Sequence, residues 1–251
     1  KGEGLGNKFL SHIREVDAVI HLIRCFDSEK IQHVNNKVNP VEDFETIKKE
    51  IILSDIDTLQ KKLEKSKRKN LSEKQLELIK RTLEELDKGN SLKSLDISSE
   101  IFLKQMGLLS IKPKIIVCNI DESHLEEGNE YTKMIAKSYP QEKIITICAD
   151  FEDQLSSLED EEKVKFMQDT GLKKMGISKL IKSGYELLNL QTFFTSGPEE
   201  SRAWTIKKDT YAPKAASVIH TDFEKNFIRA EAVNSEDFIK FGSAEKCKEN
   251  G

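Results

Sequence analysis

Apolar positions along the chain switch between two rhythms. Leu5, Phe9 and Ile13 recur at helical spacing and give way to VDAVIHLIRCF at 16–26, a nearly continuous apolar run rich in β-branched residues, which predicts a helix feeding a buried parallel strand. From Pro40 the stripe Phe44, Ile47, Ile51, Ile56, Leu59 and Leu63 is helical again, and the polar KSKRKN at 65–70 interrupts it with a turn. Ser72 and Gln75 stand at capping-box spacing before Leu76, Ile79, Leu83 and Leu86, with Glu77/Arg81 and Glu84/Lys88 as supporting pairs one turn apart. Two antiparallel helices, packed like a short coiled coil, account for 41–88.

KIIVCNI at 114–120 and KIITICA at 143–149 read as two more buried strands, separated by the polar DESH and a helical-looking 129–139. Strand, helix, strand is the rhythm of a parallel α/β sheet. A charged helix over 158–169 follows, then LIKSGYELLNL at 180–190, an amphipathic helix suited to covering that sheet. TSGPEE at 195–200 marks a boundary, and beyond it AWTI, PKAASVIHTDF and IRAEAV stand in the strand–helix–strand order of a small α+β module.

Composition narrows the class. At 251 residues with 37% hydrophobic content the chain has enough apolar mass for a sizeable core. A net charge of -4 does not announce a nucleic-acid binder, so any contact with RNA phosphates needs a local basic patch, and DNA is not an expected partner. Cys25, Cys118, Cys148 and Cys247 form no C-x-x-C pair, which suits a reducing, cytoplasmic setting. No run approaches the ~18 apolar residues of a membrane span, no signal-peptide pattern leads the chain, and no membrane partner is expected. The sequence begins with Lys and ends KCKENG, which reads as a fragment.

The opening KGEGLGNKFL has the glycine density of a phosphate-binding loop, but the G-x-x-x-x-G-K-[ST] pattern occurs nowhere in the 251 residues. The dinucleotide pattern G-x-G-x-x-G fails as well, since Asn7 stands where its last glycine belongs. Candidate chemistry lies instead at the strand ends. Ligands of open α/β sheets sit beyond the carboxyl ends of the strands, and Asn119 and Glu122 form N-x-x-E there. GTP-binding proteins use N-K-x-D at such a place. An acid one methylene longer displaces the two-point contact with guanine and makes adenine plausible. The same four residues also read as an ordinary polar turn after a strand.

The ordered blocks KGEGLGNKFLSHIREVDAVIHLIRCF, VNPVEDFETIKKEI, KPKIIVCNIDE, EEKVKFMQDTGL, GYELLNLQTFFTSGPEESRAW and APKAASVIHTDFEKNFIRAE resemble the Obg-like ATPases of the YchF type, over almost the whole chain. The resemblance implies an α/β fold: a partial P-loop NTPase (Rossmann-like) G domain over 1–40 and 93–194, an inserted antiparallel helical hairpin over 41–92, and an incomplete β-grasp (ubiquitin-like) TGS domain over 195–251. It implies a ribosome-associated switch that binds and hydrolyses ATP in preference to GTP, with Mg²⁺, and with ribosomal RNA as partner. Gly2, Gly4 and Gly6 fall on switch II. Asn119, Ile120 and Glu122 fall on the adenine-reading motif, Ile120 through its backbone, and Cys148, Ala149 and Asp150 on the loop that closes over the base. His33 falls on the histidine proposed to orient the attacking water, with a surface-loop histidine as the other reading.

The family's phosphate loop, and the magnesium ligand that goes with it, would precede Lys1, so the chain is expected to be truncated at both ends. An inactive RNA-binding remnant and a GTP-preferring Obg/DRG-like GTPase remain as alternatives. His12 and His21 read as packing or helix-surface groups, His124 as a loop residue, and His220 as structural or RNA-facing. Lys65, Lys67, Arg68 and Lys69 at the hairpin tip read either as a phosphate-binding patch or as a solvated loop, and Trp204, Lys214 and Arg229 as an RNA-facing surface, with a core position the other reading of Trp204. Asn226, where the family commonly has Gly, is expected to tolerate a left-handed turn.

Overall fold

A computed structural model describes residues 6–66, 71–90, 92, 97–169, 175–197 and 199–250 of the chain. Two compact units emerge, one ending at Leu187 and the other beginning at Leu188. Among the described residues no helix is long and apolar enough to cross a membrane.

In the first unit, α1 (Asn7–Glu15) leads into β1 (Val19–Arg24), which pairs in parallel with β2 (Lys114–Asn119), itself parallel to β3 (Ile144–Ile147). The strand order is β1-β2-β3, and the register sets Arg24, Asn119 and Ile147 side by side at the carboxyl end. Central β2 is buried on both faces, as its unbroken apolar run predicts. On one face Ile116 and Cys118 join Ile23, Phe44 of α2 (Pro40–Ser66) and Ile135 of α5 (Glu130–Ser138). On the other, Ile115 and Val117 meet Ile145, Ile147 and Leu180 of α8 (Gly176–Leu187). Strand β1 departs from expectation. It lies at the sheet edge, and Ile20 and Leu22 are 55% and 56% exposed while Ile23 is buried. A continuous apolar run does not distinguish a strand covered on two faces from one covered on a single face.

The two apolar helical stripes form α2 and α3 (Glu73–Asp87), which share a cluster centred on Leu59, Ile79 and Leu86. Ser72 and Gln75 make the expected capping box, each side chain bonded to the other's backbone N–H. Leu103 of α4 (Ile97–Gln105) and Leu108 complete the cluster. Asp55 was not anticipated: fully buried on α2, it accepts the backbone N–H groups of Leu109 and Ser110, both at 2.8 Å. The remaining helices of this unit are α6 (Ala149–Ser156) and α7 (Asp160–Asp169).

The second unit contains an antiparallel hairpin of β4 (Leu190–Ser196) and β5 (Ser201–Lys207), then α9 (Ala212–Ala216), α10 (Thr221–Lys225), α11 (Ser235–Phe241) and α12 (Ala244–Glu249). TSGPEE, expected as a boundary, begins inside β4 with Thr195 and Ser196 and lies between the two strands of the hairpin, with the Gly197 N–H donating to Glu200 O. IRAEAV at 228–233, expected as a strand, pairs with nothing among the described residues, and Ile228 is 92% exposed. Alternation alone makes no strand, because a strand exists only with a ladder partner. The single helix expected from PKAASVIHTDF is broken at His220, whose extended backbone and Nδ1 cap α10. Asn226 ends that helix at φ -105°, so no left-handed conformation arises there.

Candidate functional site

The carboxyl ends of the three strands converge on one short stretch of backbone and one amide. Asn119 closes β2, and its Oδ1 accepts the Ala149 N–H at 2.9 Å, tying the turn after β2 to the first residue of α6. Backbone bonds tighten the same row: Cys25 N–H to Asn119 O at 2.7 Å, and Ile120 N–H to Ile147 O at 2.9 Å. The Ile120 side chain is buried and its N–H engaged, so what it offers a ligand is its carbonyl. Cys148 is the N-cap residue of α6, and burial pushes its thiol up against the opposing pull of the Phe151 and Asp150 N–H groups.

Glu122 opens a one-turn 3₁₀ helix, Glu122–His124, and its charge reaches Cys148. Asp121 holds this turn by accepting from Ser123 and from His124 Nδ1; partial burial works upward on its carboxyl, but these two bonds prevail and hold it below the usual range. An open cavity of about 670 Å³ lies alongside, lined by Glu122, His124, Glu126, Glu127, Gly128 and Phe151 among others. Glu122 belongs to both the turn and the cavity, whereas Asn119, Cys148 and Ala149 stand outside the cavity wall.

His33 sits in the loop after β1 with both ring nitrogens engaged. Nδ1 accepts the Asn35 N–H at 3.2 Å, which leaves Nε2 to donate to Asp43 of α2 at 3.0 Å. In this arrangement the ring anchors the loop to α2 and has no nitrogen free for water. Gly6 is the N-cap residue of α1, its carbonyl accepting from Phe9 and Leu10, and open space surrounds its α-carbon. Gly2 and Gly4 lie outside the described residues, as do Lys67, Arg68 and Lys69 of the basic cluster.

Several organising residues were not singled out by the sequence reading. Asn129 caps α5 with Thr132 in a capping box and also donates through Nδ2 to Cys25 O at 2.7 Å, joining the loops after β1 and β2. The Tyr131 hydroxyl donates to Asp27, and Arg24 donates to the carbonyls of Phe26 and Ile31. Only the Asn129 cap had a readable signal, a polar residue immediately before a helical stripe. Cys25 and Cys118 are buried side by side, and hydrogen bonding to Cys118 together with burial pushes the Cys25 thiol far up.

His12 and His124 are exposed, whereas His21 packs 4.7 Å from the Phe44 ring. In the second unit Trp204 donates to Thr195 Oγ1 and lies beneath the Arg202 guanidinium, and Lys214 pairs with Glu224. Among the described residues no group of three or more His, Cys, Asp or Glu could hold a metal ion.

Comparison with known proteins supplies the remaining observation. Residues 190–251 match the family model YchF-GTPase_C, described as "Protein of unknown function (DUF933)". The "Ribosome-binding ATPase YchF" of Haemophilus influenzae is 41% identical over 260 residues, covering 100% of this chain and 71% of that protein. The protein of the same name from Bacillus subtilis is 41% identical over 262 residues, covering 100% and 72%. The structure of the Schizosaccharomyces pombe YchF GTPase superposes with a TM-score of 0.86 at 32% identity, covering 100% of this chain and 71% of that one. With identity of this order running the full length of the chain, and the strand ends placed as a nucleotide-binding α/β fold requires, the chain belongs to the YchF family.

Proposed function

We propose that this chain carries the base-reading and output parts of a ribosome-associated nucleotide switch that takes ATP in preference to GTP. The observation that carries the reading is the Asn119–Ala149 bond. It fixes the amide with Oδ1 turned inward, so that Nδ2 is the group presented to a purine. Glu122, one methylene longer than an aspartate, is set on a 3₁₀ turn, where it accepts from an amino group on a base edge without the geometry that pairs a carboxylate with the two guanine donors. Adenine offers one such amino group. The names of the two bacterial relatives support ATP as nucleotide and the ribosome as partner, while the name of the Schizosaccharomyces pombe structure speaks for GTP.

The 251 residues contain no G-x-x-x-x-G-K-[ST] loop, so they supply no phosphate cradle for hydrolysis. A second reading, of the chain as a binding module without turnover of its own, is favoured by His33, whose two nitrogens are already engaged.

The test is a titration of the 251-residue chain with ATP and GTP, followed by amide NMR at Ala149 and Glu122. Weak binding that favours ATP is expected, and Glu122→Asp is expected to shift the preference toward GTP by several-fold. Equal response to both nucleotides, or none at Ala149, refutes the base-reading assignment.

A further inference from the structure

At the opposite, amino end of the sheet, a cavity of about 500 Å³ opens between β1, α2 and the end of α5. Its walls are mostly apolar, contributed by Phe44, Ile51, Ile52, Leu92, Leu109 and Tyr139, and its volume falls in the range of small-molecule sites. A column of rings lines one side: His21 against Phe44 at 4.7 Å, and Phe44 against Tyr139 at 4.4 Å.

The charges around it are unequally satisfied. Glu45 accepts from the Tyr139 hydroxyl at 2.6 Å and from Lys48 at 3.1 Å, and Glu142 pairs with Lys114 at 3.5 Å. Both acids are therefore engaged. Lys112 Nζ donates only to the neutral carbonyls of Arg14 and Val16, at 3.0 and 2.6 Å, and meets no carboxylate among the described residues. Neither ring nitrogen of His21 has a hydrogen-bond partner among them either. Lys48 and Lys114 are paired with Glu45 and Glu142, so a cationic ligand would meet the Lys112 charge, and a neutral apolar one would bring that charge no counter-charge.

We infer that this cavity is a binding site for a small organic carboxylate with an aromatic or branched apolar body. The body packs on the ring column and on Ile51 and Ile52, and the carboxylate accepts from Lys112 and the His21 N–H. This site and the base-reading site lie at opposite ends of the strands, so each binds without the other.

The experiment is a titration of the 251-residue chain, with labelled isoleucine methyls, using three probes of one shape: naphthoate, naphthamide and naphthylmethylammonium. Saturable shifts at Ile51 and Ile52 are expected with naphthoate, about tenfold weaker binding with naphthamide, the worth of one charge-assisted hydrogen bond, and none with the ammonium. Lys112→Gln is expected to lower naphthoate to the naphthamide level and Lys112→Arg to restore it, while Ile52→Trp fills the space and abolishes binding of both. The Arg variant separates loss of the charge from loss of the anchoring bonds to Arg14 and Val16. Absence of saturable shifts at Ile51 and Ile52, equal binding of naphthoate and naphthamide, or naphthoate binding unchanged by Lys112→Gln would each overturn the assignment.

Discussion

Asn119 acts within the protein before any nucleotide arrives. Its Oδ1 takes the N–H of Ala149, the first residue of α6, which has no partner within its own helix. Asn119→Asp keeps the acceptor and removes the donor, so it is expected to leave the urea midpoint nearly unchanged while abolishing purine binding. Asn119→Ala removes both and is expected to lower stability by about 0.5–1.5 kcal/mol as well. Comparing the two variants by urea unfolding and nucleotide titration separates the structural role from the proposed recognition role. His21 carries a second prediction. Burial, helped by the nearby Lys114 ammonium, lowers it from 6.5 to about 4. An unfolded chain takes up this proton as pH falls through 6.5, and the folded chain refuses it until about 4. Its contribution is therefore complete above the upper value and lost as pH falls toward the lower one. Urea unfolding is expected to show a slope approaching 1.4 kcal/mol per pH unit in that window, absent in His21→Gln.

Helix α2 does more than its apolar stripe announces. The stripe is legible because Leu59 and its neighbours recur at the period of a helix, and the capping box of α3 is legible because Ser72 and Gln75 are three residues apart. Asp55 is not legible, since its partners Leu109 and Ser110 lie more than fifty positions away in the chain. Burial pushes its carboxyl up while the Leu109 N–H pulls it down. Asp55→Asn offers one acceptor oxygen where two N–H groups converge and turns its NH₂ toward a donor. The expected cost is about 1–3 kcal/mol, read from the urea midpoint of the first unit. His33 is a parallel case: the resemblance aligns it with a histidine proposed to orient water, and its ring partners Asp43 and Asn35 carry no sequence motif.

The two units differ sharply in what they bury. The first has apolar clusters on both faces of its sheet and between α2 and α3. In the second, among the described residues, Ile206 and Cys247 are the buried hydrophobics, and Ile228, Ile239 and Tyr211 are more than 80% exposed. Hydrogen exchange is expected to be slowest in β2 and β3, intermediate in the β4–β5 hairpin and close to unprotected from residue 208 onward, because local stability follows buried apolar contact. Strong protection over 228–233 would show a strand pairing that the structure does not contain.

Local pattern was enough for the strands and most helices of the first unit, though not for α4 or α6, for the parallel order of the sheet, and for placing N-x-x-E at a strand end. These follow from period and turn chemistry within a dozen residues. Membership of the family was readable from the order of whole blocks. Packing settled the rest: that β1 is covered on one face, that TSGPEE lies within a β-hairpin, that Asn119 reaches Ala149, that His33 is held by Asp43, and that an apolar cavity exists beside a lysine that meets no carboxylate among the described residues. Most of these features join side chains or backbone far apart in sequence, or reflect what lies against a strand face, and neither distant partners nor coverage leaves a mark on the local alternation of polar and apolar residues.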